Sequence, residues 1–393
     1  MPHAAQQVSS SLSRHSAPRW QRANFWLGKL IPTLLLIFAT MGYRLVIAEV
    51  FPLVYRRSRP EGLTYFGWVH LTLALTGWSY LKVYFQSLDP PREKEPPLEV
   101  LERRVVFACH ADGQPMRCLR DRCAGAWQSL RTRHCRDCGT CRERFDHHCA
   151  FMDNCVSATT FKPFFTFLLY AFLLLIVALV PLTPLQLKAC REVIQQTWST
   201  PFMQDRWWSR WYSWAGGPVW RYGGALFLGY EHYHRLAPDR PPLIPDVRTR
   251  FIRQGPATFA YDEPLYPSLA IPRLSTLVIV LFAALISAIA LAMLVTVIRN
   301  TTTGFSTVQL ERTRRYRRQV APTPAQSGQP ENPAAYDARF RLWIPLSRDE
   351  CPAGGSVVLV EPDAPLFDFG SRENWKSAMG ERWWKWVVPW ETG

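Results

Sequence analysis

Cysteine is nearly absent outside one stretch of this chain. Of its ten cysteines, eight fall between Cys109 and Cys155, and only Cys190 and Cys351 lie elsewhere. That clustering argues against the evenly spread disulfides of a small secreted domain. With histidines interleaved, it points to metal and to a reducing compartment. The first twenty residues, MPHAAQQVSSSLSRHSAPRW, lack the apolar core of a cleaved signal peptide. The first apolar run starts near Phe25 and is expected to act as an uncleaved anchor. Acidic residues are few, 31 against 46 basic, which leaves a formal net charge of +15. No basic patch with interleaved aromatics is evident, so nucleic acid is not an expected partner. The basic residues are dispersed among long apolar runs, which favours a membrane. No internal repeat is visible.

Apolar sequence is abundant, in four segments: residues 30–50, 63–81, 164–180 and 274–298. A spanning helix needs roughly 20 mostly apolar residues. The fourth segment is uncharged throughout, and Pro181 and Pro184 are expected to end the third near the far interface. The first holds Arg44 and Glu49 near one end, where they snorkel or pair. The second is rich in Thr, Trp and Tyr and carries His70, read as a hydrogen-bonded residue inside the bundle. The spans hold few polar residues, which argues against a channel.

Four spans put both termini on one side, together with the loop that holds the cysteines. The basic run ERTRRYRRQ, residues 311–319, directly follows the fourth span, so this side is assigned to the cytosol. The cluster RRSR, residues 56–59, opposes that assignment, and the thiol argument outweighs it. The expected fold is thus an α-helical polytopic membrane protein: four transmembrane helices with a cytosolic zinc-binding cysteine-rich domain between helices 2 and 3. By residue number, the layout is a cytosolic tail over 1–24, helices 1 and 2 over 25–86 and the cysteine-rich domain over 87–162. Helix 3 follows over 163–187, a lumenal loop over 188–270, helix 4 over 271–299 and a cytosolic region over 300–393. Residues 320–352 include APTPAQSGQPENPAA and are expected to form a flexible linker. WWKWVVPW, residues 383–390, is placed at the membrane interface. The sequon Asn300-Thr301-Thr302 would go unused in the cytosol.

Residues 134–155 read HCRDCGTCRERFDHHCAFMDNC. Zinc sites favour four Cys or His ligands, often from Cys-x-x-Cys knuckles. Cys118, Cys123, Cys135, Cys138, Cys141, Cys149 and Cys155, with His134, His147 and His148, make ten candidates. Two four-ligand sites use eight, so two residues should remain free of metal.

The run His134-Cys135-x2-Cys138-x2-Cys141-x4-Asp146-His147-His148-Cys149-x5-Cys155 resembles the cysteine-rich domain of the DHHC family of protein S-acyltransferases, the palmitoyltransferases. Asp89-Pro90-Pro91 is similar to the family's Asp-Pro-Gly, and Ser306-Thr307-Val308-Gln309 to its Thr-Thr-x-Glu. The stretch PLFDFGSRENWKSAMG, residues 365–380, resembles a C-terminal element of many members, with Asn374 at its Asn position. Fungal members look nearest in texture. Carried over by position, the resemblance implies one zinc site on Cys118, Cys123, His134 and Cys141, and a second on Cys135, Cys138, His148 and Cys155. It leaves His147 and Cys149 unbound, beside Asp146. The chain departs from the family at Cys118-x4-Cys123, where two intervening residues are usual, and Cys109 or His110 is an alternative ligand there. Ala150-Phe151 replaces Pro-Trp, and Thr160 replaces an Asn, while Phe164 is retained.

The resemblance implies transfer of a long acyl chain from palmitoyl-CoA, or another long-chain acyl-CoA, through an acyl-enzyme on Cys149 to cysteines of substrate proteins. His147 would be the base and Asp146 its orienting carboxylate, and two Zn2+ ions would be structural. Expected partners are acyl-CoA, membrane-associated substrate proteins and the lipid bilayer, in an endomembrane (ER or Golgi) rather than the plasma or vacuolar membrane. Arg142, Arg144, Lys162 and the 312–318 run are candidates for the CoA phosphates, against the plainer reading of solvated charges. Two alternatives stand beside this reading: a membrane-anchored structural zinc module, and a catalytically inactive DHHC-like scaffold.

Overall fold

A computed structural model describes residues 19–86, 95–233, 269, 272–320, 339–347, 351 and 354–388, with backbone alone at 19–27, 121, 319 and 320. Asp89-Pro90-Pro91, most of the N-terminal tail and the stretch 321–335 lie outside the described residues. In chain order come helices α1 (Arg19–Leu45), α2 (Phe51–Arg57) and α3 (Arg59–Tyr84). Seven short strands follow: β1 (Phe107–Ala108), β2 (Arg117–Cys118), β3 (Ala126–Trp127), β4 (Arg133–Cys135), β5 (Thr140–Arg142), β6 (His147–Cys149) and β7 (Asn154–Val156). Then come α4 (Phe161–Ser199), α5 (Gly217–Glu231), α6 (Leu274–Thr302), α7 (Thr307–Val320), β8 (Phe340–Pro345), β9 (Gly355–Val360) and α8 (Ser371–Met379).

All four apolar segments are helical. Among the described residues, three helical stretches are long and apolar enough to cross a membrane: Gly28–Arg57, Phe161–Ser199 and Leu274–Thr302. The second segment lies in α3, which has the length, 26 residues, but less apolar character. Its Thr, Ser, Gly, Trp, Tyr and His residues dilute the aliphatic ones. Helix α4 corrects the expected end of the third segment. It runs 39 residues straight through Pro181 and Pro184, about 58 Å at 1.5 Å per residue.

The chain forms two compact units. One gathers residues 35–74 and 169–292. Here the far end of α4 is held by packing, which is why the prolines do not end it. Ala189 and Val193 are buried with Tyr230 and Tyr233, and Leu274 and Leu277 pack against them. Gly229 on α5 lets the backbone approach Val193 and Thr197 closely, where a Cβ would have no room. The expected loop over 188–270 is therefore folded through Tyr233. Its centre is Arg221, which donates to Ser213 Oγ at 2.6 Å and to the Trp208 carbonyl at 3.0 Å, beneath the Trp214 ring. His70 has both ring nitrogens engaged, Nδ1 with the Phe66 carbonyl at 2.9 Å and Nε2 with the Tyr43 hydroxyl at 3.3 Å.

The other unit gathers residues 1–34, 75–168 and 293–393. It contains a three-stranded antiparallel sheet in the order β1-β8-β9. Phe107 pairs with Trp343 and Ala108 with Leu342, so the C-terminal region closes over the start of the cysteine-rich segment. Val100, Phe107, Cys109 and Trp343 form the apolar cluster beneath. Residues 339–347, expected within a linker, are instead ordered by this pairing. The rest of the cysteine-rich segment is three separate ladders of two or three residues per strand, β2-β3, β4-β5 and β6-β7. Hairpins this small bury almost no core and are marginal alone in water.

Candidate functional site

The register of the ladders sorts the ligands. Successive side chains in a strand point to opposite faces, and directly paired residues share a face. In β4-β5, His134 pairs with Cys141 while its neighbour Cys135 pairs with Thr140. In β6-β7, His148 pairs with Cys155, and His147 and Cys149 pair with Val156 and Asn154. One strand thus turns His148 to one face and both His147 and Cys149 to the other.

Two quartets form on this pattern. Cys118, Cys123, His134 and Cys141 bring one donor atom each within 4.8 Å of one another, and so do Cys135, Cys138, His148 and Cys155. The wider Cys118-x4-Cys123 spacing is taken up by a single 3-10 turn over Asp121–Cys123 and by Ala124 in the left-handed region at φ 46°. Cys109 lies in the apolar cluster under Trp343, and neither it nor His110 joins a quartet.

The donors suit a tetrahedral ion. Ligand bonds of about 2.0–2.3 Å keep four donors roughly 3.5–3.8 Å apart. His134 Nδ1 lies 3.5 and 3.4 Å from the Cys118 and Cys123 sulfurs. His148 Nδ1 lies 3.7, 3.4 and 3.9 Å from those of Cys135, Cys138 and Cys155. Protein N–H groups already point at two sulfurs of the first quartet, Cys141 N at Cys123 and Gln128 Nε2 at Cys141, at 3.2 and 3.1 Å. Such donors favour the thiolate form that a metal needs.

On the opposite face, His147 Nδ1–H donates to Asp146 Oδ2 at 2.7 Å. Cys149 is buried, and it lies near enough to the imidazole to favour its charged form. Burial disfavours the imidazolium, but Asp146 and then Cys149 outweigh it and push the His147 pKa up to about 9. Burial likewise works against the Asp146 charge, yet the hydrogen bonds from His147 and Thr307 hold its pKa below the ordinary value. Phe164 sets its ring edge-on to His147, with centroids 5.6 Å apart. Thr160 does the anchoring here: its hydroxyl accepts from Ser157 N at 2.8 Å and donates to the Cys155 carbonyl at 2.7 Å, just before α4 begins.

Arg131 was not singled out from the sequence, and Thr307 was named only within Ser306-Thr307-Val308-Gln309. Ser306 and Gln309 form a capping box: Gln309 Oε1 accepts from Ser306 N at 2.9 Å, and Ser306 Oγ accepts from Gln309 N at 3.3 Å. That leaves the N–H of Thr307, first residue of α7, for Asp146 Oδ1 at 2.7 Å, while its hydroxyl donates to Oδ2 at 2.8 Å. The carboxylate therefore sits at a helix N-terminus, where the peptide dipoles favour negative charge. The Ser-Thr-x-Gln spacing carried this signal; its link to Asp146 did not show. Arg131 donates to the Gly304 carbonyl at 3.2 Å, stacks over Phe367 and adds positive charge near Asp146, with no sequence signal at all. Asn374 fastens the C-terminal element by donating to the Thr302 carbonyl at 3.0 Å and to Asp368 Oδ1 at 2.8 Å.

The basic candidates separate. Arg144 donates to the Ser377 carbonyl at 3.0 Å, and Arg315 and Arg317 pair with Glu311 and Asp363. Lys162 is buried. Arg142 keeps buried guanidinium nitrogens, Nε and one NH2, without a hydrogen-bond partner.

Residues 120–222 match the family model described as DHHC palmitoyltransferase. Among curated relatives, probable protein S-acyltransferase 14 of Arabidopsis thaliana is 32% identical over 115 residues, 26% of this chain and 37% of the relative. Palmitoyltransferase pfa5 of Emericella nidulans is 35% identical over 83 residues, 21% and 16% of the two chains. Human palmitoyltransferase ZDHHC2 is 28% identical over 176 residues, 39% and 46%. The matched part therefore spans less than half of each of these relatives.

Proposed function

We propose, from the premise that this chain belongs through its cysteine-rich segment to the DHHC palmitoyltransferase family, that it is a protein S-acyltransferase acting through Cys149. One observation carries the reading: the β6-β7 register gives His148 to a metal quartet and leaves His147 and Cys149 together on the other face, with Asp146 behind them. A thiol needs a nearby base to become a nucleophile, and the base needs an orienting group.

In the first step the Cys149 thiol gives its proton to His147. The thiolate attacks the carbonyl carbon of a long-chain acyl-CoA, the carbon–sulfur bond to CoA breaks, and the CoA thiolate takes a proton from the imidazolium. In the second step a substrate cysteine gives its proton to His147 and attacks the acyl-enzyme, releasing Cys149. One thioester replaces another, so no ATP is required. Zinc, held by the two quartets, would be structural, because four protein ligands leave no open position. Arg142 is the best-placed candidate for a CoA phosphate. The membrane layout that suits this chemistry has four spans, with both termini and the cysteine-rich segment on the cytosolic side of an endomembrane. Substrates are membrane-associated proteins bearing a cysteine.

The test is to incubate purified wild-type protein with palmitoyl-CoA and map the adduct by peptide mass spectrometry. A hydroxylamine-labile thioester on Cys149 is expected; an adduct elsewhere, or none, would overturn the assignment. Thr307→Val removes one hydrogen bond to the Asp146 carboxylate and keeps the backbone one. Bonds to charged groups are worth about 1.5–3 kcal/mol, so acyl-enzyme formation should slow by roughly tenfold or more in rapid-quench assays.

A further inference from the structure

We infer that Lys29, with Gly28 beside it, is a positioning residue that holds Cys149 at the membrane boundary by gripping Asp153. The β6-β7 register leaves Ala150–Asp153 as the hairpin tip directly after Cys149. Met152, fully buried, donates its N–H to the Cys149 carbonyl at 3.1 Å, so the tip and the sulfur's backbone move together. Asp153 stands in the left-handed region at φ 47°, which turns its side chain out of the hairpin. There it meets α1. Lys29 Nζ forms an ion pair with Asp153 Oδ2 and also lies 5.6 Å from the centre of the Tyr84 ring. Gly28 makes the approach possible: a Cβ at that position would overlap Asp153 Oδ1 and stand 3.1 Å from its Cγ.

The tip is tied on its other side as well. Tyr80 of α3 donates its hydroxyl to the Phe151 carbonyl at 3.3 Å. Asn154 Nδ2 donates to the carbonyls of Val83 and Gln86 at 2.7 and 3.2 Å. Lys29 directly precedes the first apolar run, residues 30–50. The reactive cysteine is therefore moored through Asp153 to the start of that apolar run. Lys29 and Asp153 are 46% and 19% exposed, and pairs this open contribute little to folding stability. Their consequence is placement of the sulfur relative to the acyl chain, and a displacement of about 1 Å in a reacting group can cost a hundredfold in rate.

This role rests on the acyl-transfer reading, but the grip itself can be tested without it. Full-length protein in nanodiscs is treated with iodoacetamide, which is water-soluble, and with N-hexadecylmaleimide, which partitions into the bilayer. Modification of Cys149 by each is followed by peptide mass spectrometry, alongside acyl-enzyme formation, melting temperature and zinc content. In Lys29→Met and Gly28→Leu the reactivity ratio should shift about tenfold toward the water-soluble reagent, and acyl-enzyme formation should fall by about ten- to a hundredfold. Lys29→Arg should stay within about twofold of wild type, because it restores the cation. Melting temperature and zinc content should hold in all three. A ratio unchanged in Lys29→Met overturns the inference, whatever happens to the rate. Wild-type protein that never acylates Cys149 refutes the acyl-transfer reading instead, and the ratio still decides the grip.

Discussion

Cys149→Ala is expected to abolish acyl-enzyme formation while leaving the fold and both metal quartets in place. The sulfur belongs to neither quartet, so its removal takes away no ligand. It is buried within a hairpin anchored by Asn154 and Thr160, and trimming Cys to Ala leaves only a small void. Loss of the covalent step itself has no substitute in the site. The fall should be to background, a thousandfold or more, the order seen on removing a nucleophile from an enzyme that uses one. Radiolabelled palmitoyl-CoA with wild-type and Cys149→Ala protein side by side, normalised to zinc content, measures this. A purely structural zinc module predicts no difference between the two. Labelling that survives the substitution would remove the proposed mechanism.

Cys138→Ala should be as damaging to function by a different route, through loss of the local fold. Each metal quartet joins strands that share only two or three paired residues. The apparent binding free energy of a structural zinc is about 10–16 kcal/mol at neutral pH, which matches or exceeds the entire stability of an ordinary domain, about 5–15 kcal/mol. Without its second quartet, the β6-β7 hairpin loses the His148 and Cys155 tether that fixes which face carries His147 and Cys149. Elemental analysis should show two zinc ions per chain in the wild type and one in the variant. Limited proteolysis should newly cut between residues 135 and 156, and acyl-enzyme formation should disappear. Full metal content and unchanged protection would show that the quartet is not a metal site. Cys123→Ala should repeat the result at the first quartet, with cleavage nearer residue 118.

Much of the site was legible because cysteine and histidine are scarce, specific and close together in sequence. A count of ten candidates against two quartets leaves two residues over, and the family resemblance named them as His147 and Cys149. The period of two along His147-His148-Cys149 then explains physically which two. The ends of elements were less legible. Pro181 and Pro184 are ordinary stop signals, but contacts of Ala189 and Val193 with Tyr230 outweigh the hydrogen bonds they remove. Strand β8 was hidden for another reason. Its partners are Phe107–Ala108, more than two hundred residues earlier, and Gly355–Val360, so neither hairpin spacing nor local pattern reveals it. The contacts of Thr307 with Asp146 and of Lys29 with Asp153 are likewise products of tertiary placement. Each joins a helical residue to a loop far away in the chain.

That placement has a consequence for biosynthesis. Asp146 and Thr307 are 161 positions apart, and at 5–20 residues per second the ribosome delivers the second roughly 8–30 seconds after the first. Throughout that interval the nascent chain displays a thiol and an imidazole whose carboxylate partner still lacks its helix cap. The capping box forms only after the last apolar helix has emerged. On the proposed acyl-transfer function, competence to handle a reactive thioester would arrive together with completed insertion, and a truncated or stalled product would be born unloaded.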